Sequence, residues 1–221
     1  MAGASFLDTG VALGYCFTLD SHFTKCRNYI EKMEKAALYY GEYVESEYHG
    51  RKEGLNKELS QEVLEHRSQV MRSGFEGELD PMDLKKIHDE YLNRSWSAYN
   101  SLEHWYRKSL PNFIQKDELV SRLGNMAAQI EANAIQRKGE LDGKSEKWSC
   151  DEAHDSVRAE LEDLPPDDLE VCIEAHDLAD TISVDTELAT VNPTDFVDNG
   201  RRELILTETA LADVISVASR G

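Results

Sequence analysis

Two hydrophobic periods alternate along this chain. Short apolar runs at residues 4–7, 38–40, 188–191 and 203–206 are bounded by turn-forming or acidic residues and read as strands; between them the apolar positions fall three and four apart, as on helices. Residues 4–7 run directly into Asp8-Thr9-Gly10. Asp20-Ser21 opens a helix expected over 22–36, with Phe23, Cys26, Tyr29, Ile30 and Met33 on one face. A further helix begins behind the second strand, over 41–48, and carries Glu42, Glu45 and Glu47. Residues 51–148 read as almost wholly helical: Leu55, Leu59, Val63 and Val70 form one stripe, Asp80-Pro81 with Asp83 marks a helix start, and Asp117-Glu118 opens a helix with Leu119, Leu123, Met126, Ala127 and Ile130. The polar, glycine-containing stretch 139–149 reads as a linker or exposed loop. An acidic helix is expected over 150–161, before Pro165-Pro166. Asp167-Asp168 then cap a helix to about residue 177, with Val171, Cys172, Ala175 and Leu178 on its apolar face. The chain is expected to close with the strand at 203–206 and a helix capped by Thr207, on which Leu211, Val214, Ile215 and Ala218 share a face.

Strands alternating with helices imply an α/β fold. The 221 residues suffice for one domain with a real core, or one domain carrying a long insertion. No apolar run approaches a membrane span, and no basic segment precedes an apolar one at the start, so a cytoplasmic setting and no membrane partner are expected. Cys16, Cys26, Cys150 and Cys172 are scattered without a CxxC pair, which argues against a zinc ribbon and for reduced thiols. The seven histidines (His22, His49, His66, His88, His104, His154 and His176) lack metal-site spacing and read as surface or core residues. The net charge of −19 has two readings. It disfavours a polyanionic partner, or it marks adaptation to high intracellular salt, where acids keep a surface hydrated and charge is screened. Low lysine content with acids along the whole chain favours the second, halophilic reading, which leaves an RNA substrate open.

The candidate chemistry lies at strand ends. Carboxylates at the carboxyl edge of an α/β sheet face the crevice where such folds bind ligands. Asp8 ends the first strand, Asp168 fronts the helix before the strand at 188–191, and Asn192 and Asp195 follow that strand. Each has a plainer use: Asp8 as a turn cap, Asp167 and Asp168 as helix-front acids. Together, Phe-Leu-Asp-Thr-Gly at 6–10, Val44-Glu45-Ser46-Glu47, the spacing Asp168…Val171…Ala175, and Thr190-Val191-Asn192-Pro193-Thr194-Asp195-Phe196 resemble the motifs of PIN-domain ribonucleases, over roughly half the chain (4–48 and 164–218). The resemblance implies a three-layer α/β/α domain with a small parallel sheet, formed by 1–50 and 150–221, with 51–149 as a large helical insertion. It also implies Mg²⁺ or Mn²⁺ held by Asp8, Glu47, Asp168 and Asp195, substrate positioning by Thr190 and Asn192, and hydrolysis of RNA. Glu45 is the alternative second acid, two residues from Glu47. The link 180–187 is longer than the family's and holds Asp185.

Several carboxylates converging on one point repel one another, which a hard divalent cation relieves, and such a cation can drive phosphodiester hydrolysis. Within the family, a toxin held by an antitoxin, a housekeeping processing nuclease and a homodimer are all open, although the chain is long for a toxin. The alternatives are a catalytically inactive PIN-fold module that binds RNA or protein, and a helical scaffold with an accidental likeness, which would be excluded by finding the terminal segments as adjacent strands of one sheet. The aromatic patch Trp96, Tyr99, Trp105 and Tyr106 is expected to be core; with Arg94, Arg107 and Lys108 it could instead stack RNA bases.

Overall fold

Strands from opposite ends of the chain lie side by side. The structure, a computed structural model, describes residues 3–32, 37–150, 152–182 and 184–217. In chain order the first half comprises β1 (Ala4–Leu7), α1 (Thr9–Cys16), α2 (Phe23–Lys32), β2 (Ala37–Gly41), α3 (Glu42–Arg72), β3 (Glu78–Leu79), α4 (Pro81–Tyr91) and α5 (Tyr99–Lys108). Then follow β4 (Ile114–Gln115), α6 (Lys116–Asp142), β5 (Ser145–Trp148), α7 (Asp155–Glu160), α8 (Pro166–Ile182), β6 (Thr186–Thr190), α9 (Pro193–Phe196), α10 (Arg201–Glu208) and β7 (Asp213–Ser216). The main sheet is ordered β5-β2-β1-β6-β7 and is parallel throughout. β1 pairs with β6 in the register Ala4↔Thr186 to Leu7↔Ala189. The termini thus build one sheet, which excludes the helical-scaffold reading.

From β1 the chain winds outward to β2 and β5, then returns to the far side of β1 and winds outward again through β6 and β7. Right-handed crossovers put the helices of the two halves on opposite faces, giving three layers of helix, sheet and helix. Both faces being covered, β1 is buried at all four positions and β6 at all five. Ser5 Oγ and the Tyr29 hydroxyl lie 2.6 Å apart, and that hydroxyl donates to Glu187 Oε1 at 2.6 Å, so two polar groups buried in the central strands are bridged by one residue of α2.

Helices α3 and α6 form an antiparallel hairpin: Glu45 meets Lys138 near the sheet (2.9 Å), and Arg67 Nε donates to the Val120 carbonyl at the far end (3.1 Å). At 31 and 27 residues they extend about 46 and 40 Å, well beyond the sheet. Leu59, Val63 and Val70 of α3 are buried with Leu119, Leu123 and Ile130 of α6. The Lys116 ammonium donates to the carbonyls of Met71, Ser73 and Phe75, closing the end of α3 where carbonyls lack helical partners. Arg137 fastens the hairpin to the domain by donating to the Tyr15 carbonyl (2.8 Å) while its guanidinium lies over the rings of Tyr15 and Phe23. The aromatic patch is core: Tyr106 is buried, Trp96, Tyr99 and Trp105 pack against the core, and Arg94, Arg107 and Lys108 are exposed around them. His66, fully buried, contacts the Tyr106 hydroxyl (2.7 Å), and burial holds its pKa down at about 4.

Three expectations are corrected. The closing elements are exchanged: 203–206 belongs to helix α10, and Val214 and Ile215 to strand β7. After β6 a parallel partner can be reached only by a crossover, so the helix must come first; the β-branched run Val214-Ile215-Ser216-Val217 suits a strand, whatever its helical spacing. Ala218 lies outside the described residues. The stretch 139–149 is not a linker: α6 continues to Asp142, and β5 pairs with β2 as an edge strand. Its exposed Glu146 and Lys147 are the charges an edge tolerates. The helix expected over 150–161 is reduced to Asp155–Glu160. Helix α3 runs through residue 50, and one apolar core is shared by the segments on either side of it.

Gly41 precedes α3 and has no side chain to cap it; the cap comes from α8, where the buried Glu174 carboxylate accepts from the Tyr43 N–H at 2.7 Å. A Cβ on Gly41 would lie 1.7 Å from Glu174 Oε2, so this approach requires glycine. Gly41→Ala is expected to destabilise the fold by roughly 2–3 kcal/mol in urea denaturation. Combined with Glu174→Ala it should cost less than the two single losses together; full additivity would show that the two residues do not constrain each other.

Candidate active site

The winding reverses between β1 and β6, and the carboxyl ends of these neighbouring strands leave a crevice there. A cleft of about 640 Å³ opens at that point, lined by Asp8 and Thr9 from the end of β1, Glu47 from α3, Asp168 from the start of α8, and Val191 and Asn192 after β6.

Asp8 is the N-cap of α1 and accepts from the Val11 N–H at 2.8 Å, so its plainer role is real. It is nevertheless only 4 % exposed. Burial pushes its carboxyl up to about 6, with the Glu47 charge adding to the rise; bonds to the Thr190 side chain and the Val11 amide only partly offset this. Gly10 allows the close fit: a Cβ there would stand 2.6 Å from the Val191 side chain and 3.1 Å from Asp8 Oδ1. Burial also lifts Asp168 to about 6, followed by the charges of Asp195, Asp8 and Glu47. Glu47 is held from two sides, by the Thr9 hydroxyl at 2.5 Å and the Arg51 guanidinium at 2.9 Å.

Of the two candidate second acids, Glu47 faces the cleft. Glu45 lies on the hairpin side, bonded to Lys138 and His49. Burial acts to raise the Glu45 carboxyl, but those two partners outweigh it and hold it below the ordinary value. Thr190 sits behind Asp8, and its Oγ1 accepts from the Asn192 N–H (2.9 Å). Asp195 does not line the cleft: it accepts from the Asn192 amide and pairs with Arg201 at 3.2 Å. It acts on the cleft through Asp168, being the strongest charge that raises it. The acids are neighbours rather than a closed cage, for among the described residues no three of these carboxylates have oxygens within 4.8 Å of one another.

The cleft also contains Asp20, His22, Arg51 and Glu58, none of them expected. Asp20 accepts from the His22 N–H at 2.7 Å and is raised by burial. Arg51 could have been found from its place one turn after Glu47, the usual spacing of a helical ion pair. Asp20 and Glu58 carry no local signal, since it is the packing of α2 and α3 that brings them in.

Ionising Asp8 opposes folding, because its folded pKa stands above the ordinary 3.8. That contribution to stability is complete below about pH 3.8 and is lost as the pH rises through about 6. Asp8→Asn keeps an oxygen for the Val11 amide and removes the charge. In chelator it should therefore stabilise the protein by up to ~3 kcal/mol near pH 8 and by nothing near pH 4, read from urea midpoints; a variant weaker at both pH values would show that the carboxylate serves the cap alone. Comparison of the chain with protein-family models, with curated proteins and with solved structures finds no match.

Proposed function

We propose that this chain is a PIN-like, metal-dependent endoribonuclease that hydrolyses RNA phosphodiester bonds in the cleft between β1 and β6. The observation that carries the reading is the convergence of Asp8, Glu47 and Asp168, from three distant segments, on one cleft where two of them are lifted to about pKa 6. Perturbed carboxyls at the ligand-binding crevice of an α/β sheet are a signature of function.

The donor set fits a hard cation. All four acids offer oxygen only, the preference of Mg²⁺ and Mn²⁺. Asp8, Glu47 and Asp168 would hold the ion, directly or through water, with Asp195 supporting from behind Asn192. Bound there, it would supply electrophilic assistance to phosphodiester hydrolysis. The chain's own groups do the rest. Thr190 and the Val11 amide fix the Asp8 carboxylate, Thr9 and Arg51 fix Glu47, and Arg51 brings a guanidinium, the group suited to phosphate oxygens, into the cleft. With a net charge of −19, approach of a polyanion depends on screening, so activity belongs at high salt. The length of the chain fits an RNA-processing role better than that of a toxin with an antitoxin.

The test is cleavage of total and structured RNA with Mg²⁺ or Mn²⁺ at high salt. Wild type should cut, and Asp8→Asn and Asp168→Asn should each lose about a hundredfold or more. A second reading, a PIN-fold module that binds RNA or protein without cutting, is favoured by one observation: Asp195 is already paired with Arg201 and Asn192. Metal-independent RNA binding without cleavage would select it.

A further inference from the structure

A second group of metal-ligand side chains lies away from the cleft. Cys150 follows edge strand β5, His154 begins α7, and Asp177 lies on α8, nine residues (about 13 Å of helix) beyond Asp168. One donor atom from each, Sγ, a ring nitrogen and a carboxylate oxygen, all lie within 4.8 Å of one another, and this is the one such group among the described residues. His154 Nε2 is 2.6 Å from Asp177 Oδ1, and both side chains are nearly buried.

We infer that Cys150, His154 and Asp177 form a zinc site that fastens the segment after β5 to α8. Three independent features support it. Thiolate, imidazole and carboxylate together are a borderline-soft donor set, the preference of Zn²⁺ and not of Mg²⁺ or Ca²⁺. The carboxylate is already oriented, because the Trp148 indole N–H donates to Asp177 Oδ2 at 2.8 Å and turns Oδ1 to the trio. His154, moreover, adopts a left-handed backbone (φ 48°, ψ 46°), rare for a residue with a Cβ, and this conformation sets its ring against Asp177.

On binding, the Cys150 thiol proton leaves to solvent and sulfur gives up its contact with the Glu152 carbonyl. The neutral His154 imidazole takes the tautomer with its one proton on Nδ1, which leaves Nε2 free to ligate. His176 packs edge-on against His154 at 4.6 Å, but it is not among the donors that lie within 4.8 Å of one another, so the fourth position would fall to water.

Cobalt(II) tests this, because a thiolate ligand gives a near-ultraviolet charge-transfer band that an all-carboxylate site cannot. Reduced wild-type protein titrated with Co²⁺ should develop the band to one equivalent and lose it when Zn²⁺ is added. Cys150→Ser, near-isosteric at a partly exposed position, should abolish it, and Asp177→Asn, which keeps an acceptor for Trp148, should weaken Zn²⁺ binding roughly a hundredfold. Asp8→Asn and Asp168→Asn should keep the band, which separates this site from the acidic cleft. Circular dichroism confirms that each variant is folded. Absence of the band in folded wild type, or its persistence in Cys150→Ser, overturns the inference.

Discussion

Everything about this domain depends on the pairing of β1 with β6, between segments that stand near opposite ends of the chain. Were β6 to pair elsewhere, the winding would not reverse at β1, and Asp8 would face no neighbouring strand end carrying Thr190 and Asn192. The pairing is protected in two ways. Its side chains are buried on both faces, where slipping the register by one residue would exchange every side chain between layers. Two of its buried polar groups, Ser5 and Glu187, are bridged by Tyr29 of α2, so the helix between β1 and β2 also verifies that β6 has arrived. A contact of such long sequence separation forms against a large loop entropy, which fits a fold whose intervening stretch is mostly a helical hairpin, able to form locally.

That hairpin does more than fill the interval. Its near end supplies Glu47 and Arg51 to the cleft, and its return helix anchors through Arg137 and Lys138 to α1, β2 and α3. Its far end extends the same apolar core to Leu102 and Leu123, beside the buried His66. The acidic cleft and the hairpin are therefore one mechanical unit, because the residues that set the direction of α3 also set the position of Glu47. Glu174 does so most directly, capping the first turn of α3 from α8, the helix that presents Asp168.

What the sequence revealed and what it hid follow from the range of the forces involved. β1, β2 and β6 were legible because each holds a short, mainly apolar run, Ala4 to Leu7, Leu38 to Tyr40 and Leu188-Ala189, bounded by turn-forming or polar residues. The start of α4 was legible because Asp80, Pro81 and Asp83 lie within four residues, between which the structure closes a capping box. The edge strand β5 was not, since its Ser-Glu-Lys-Trp sequence needs only one partner and carries exposed charge. The exchange of α10 and β7 has a different origin: Leu204, Ile205 and Leu206 fit a strand and Leu211, Val214 and Ile215 fit a helix, and only the demand of parallel topology for a crossover decides between them. Asp8, Glu47 and Asp168 could be singled out by position after strands and at helix fronts, although nothing local distinguishes Glu47 from Glu45. Lys138, 93 residues away, turns Glu45 aside. Cys150, His154 and Asp177 escaped for a similar reason: a loop and a helix bring them together, without the short regular spacing that a motif search detects.

The plainest objection to an active cleft is that each acid has a structural use. Asp8 caps α1, Asp168 sits at a helix front, and Glu47 is paired with Arg51. Capping, however, needs only an uncharged acceptor such as serine or asparagine, at the helix front and exposed to water. Nothing in capping calls for burial, and nothing in it calls for a second and third carboxylate nearby. Burial and mutual repulsion both work against the fold here, by an amount that the lift of Asp8 to about 6 puts near 3 kcal/mol. A domain that retains such an opposing charge at the reversal point of its sheet, and shapes Gly10 to admit it, is better explained by what the carboxylates bind than by what they hold together.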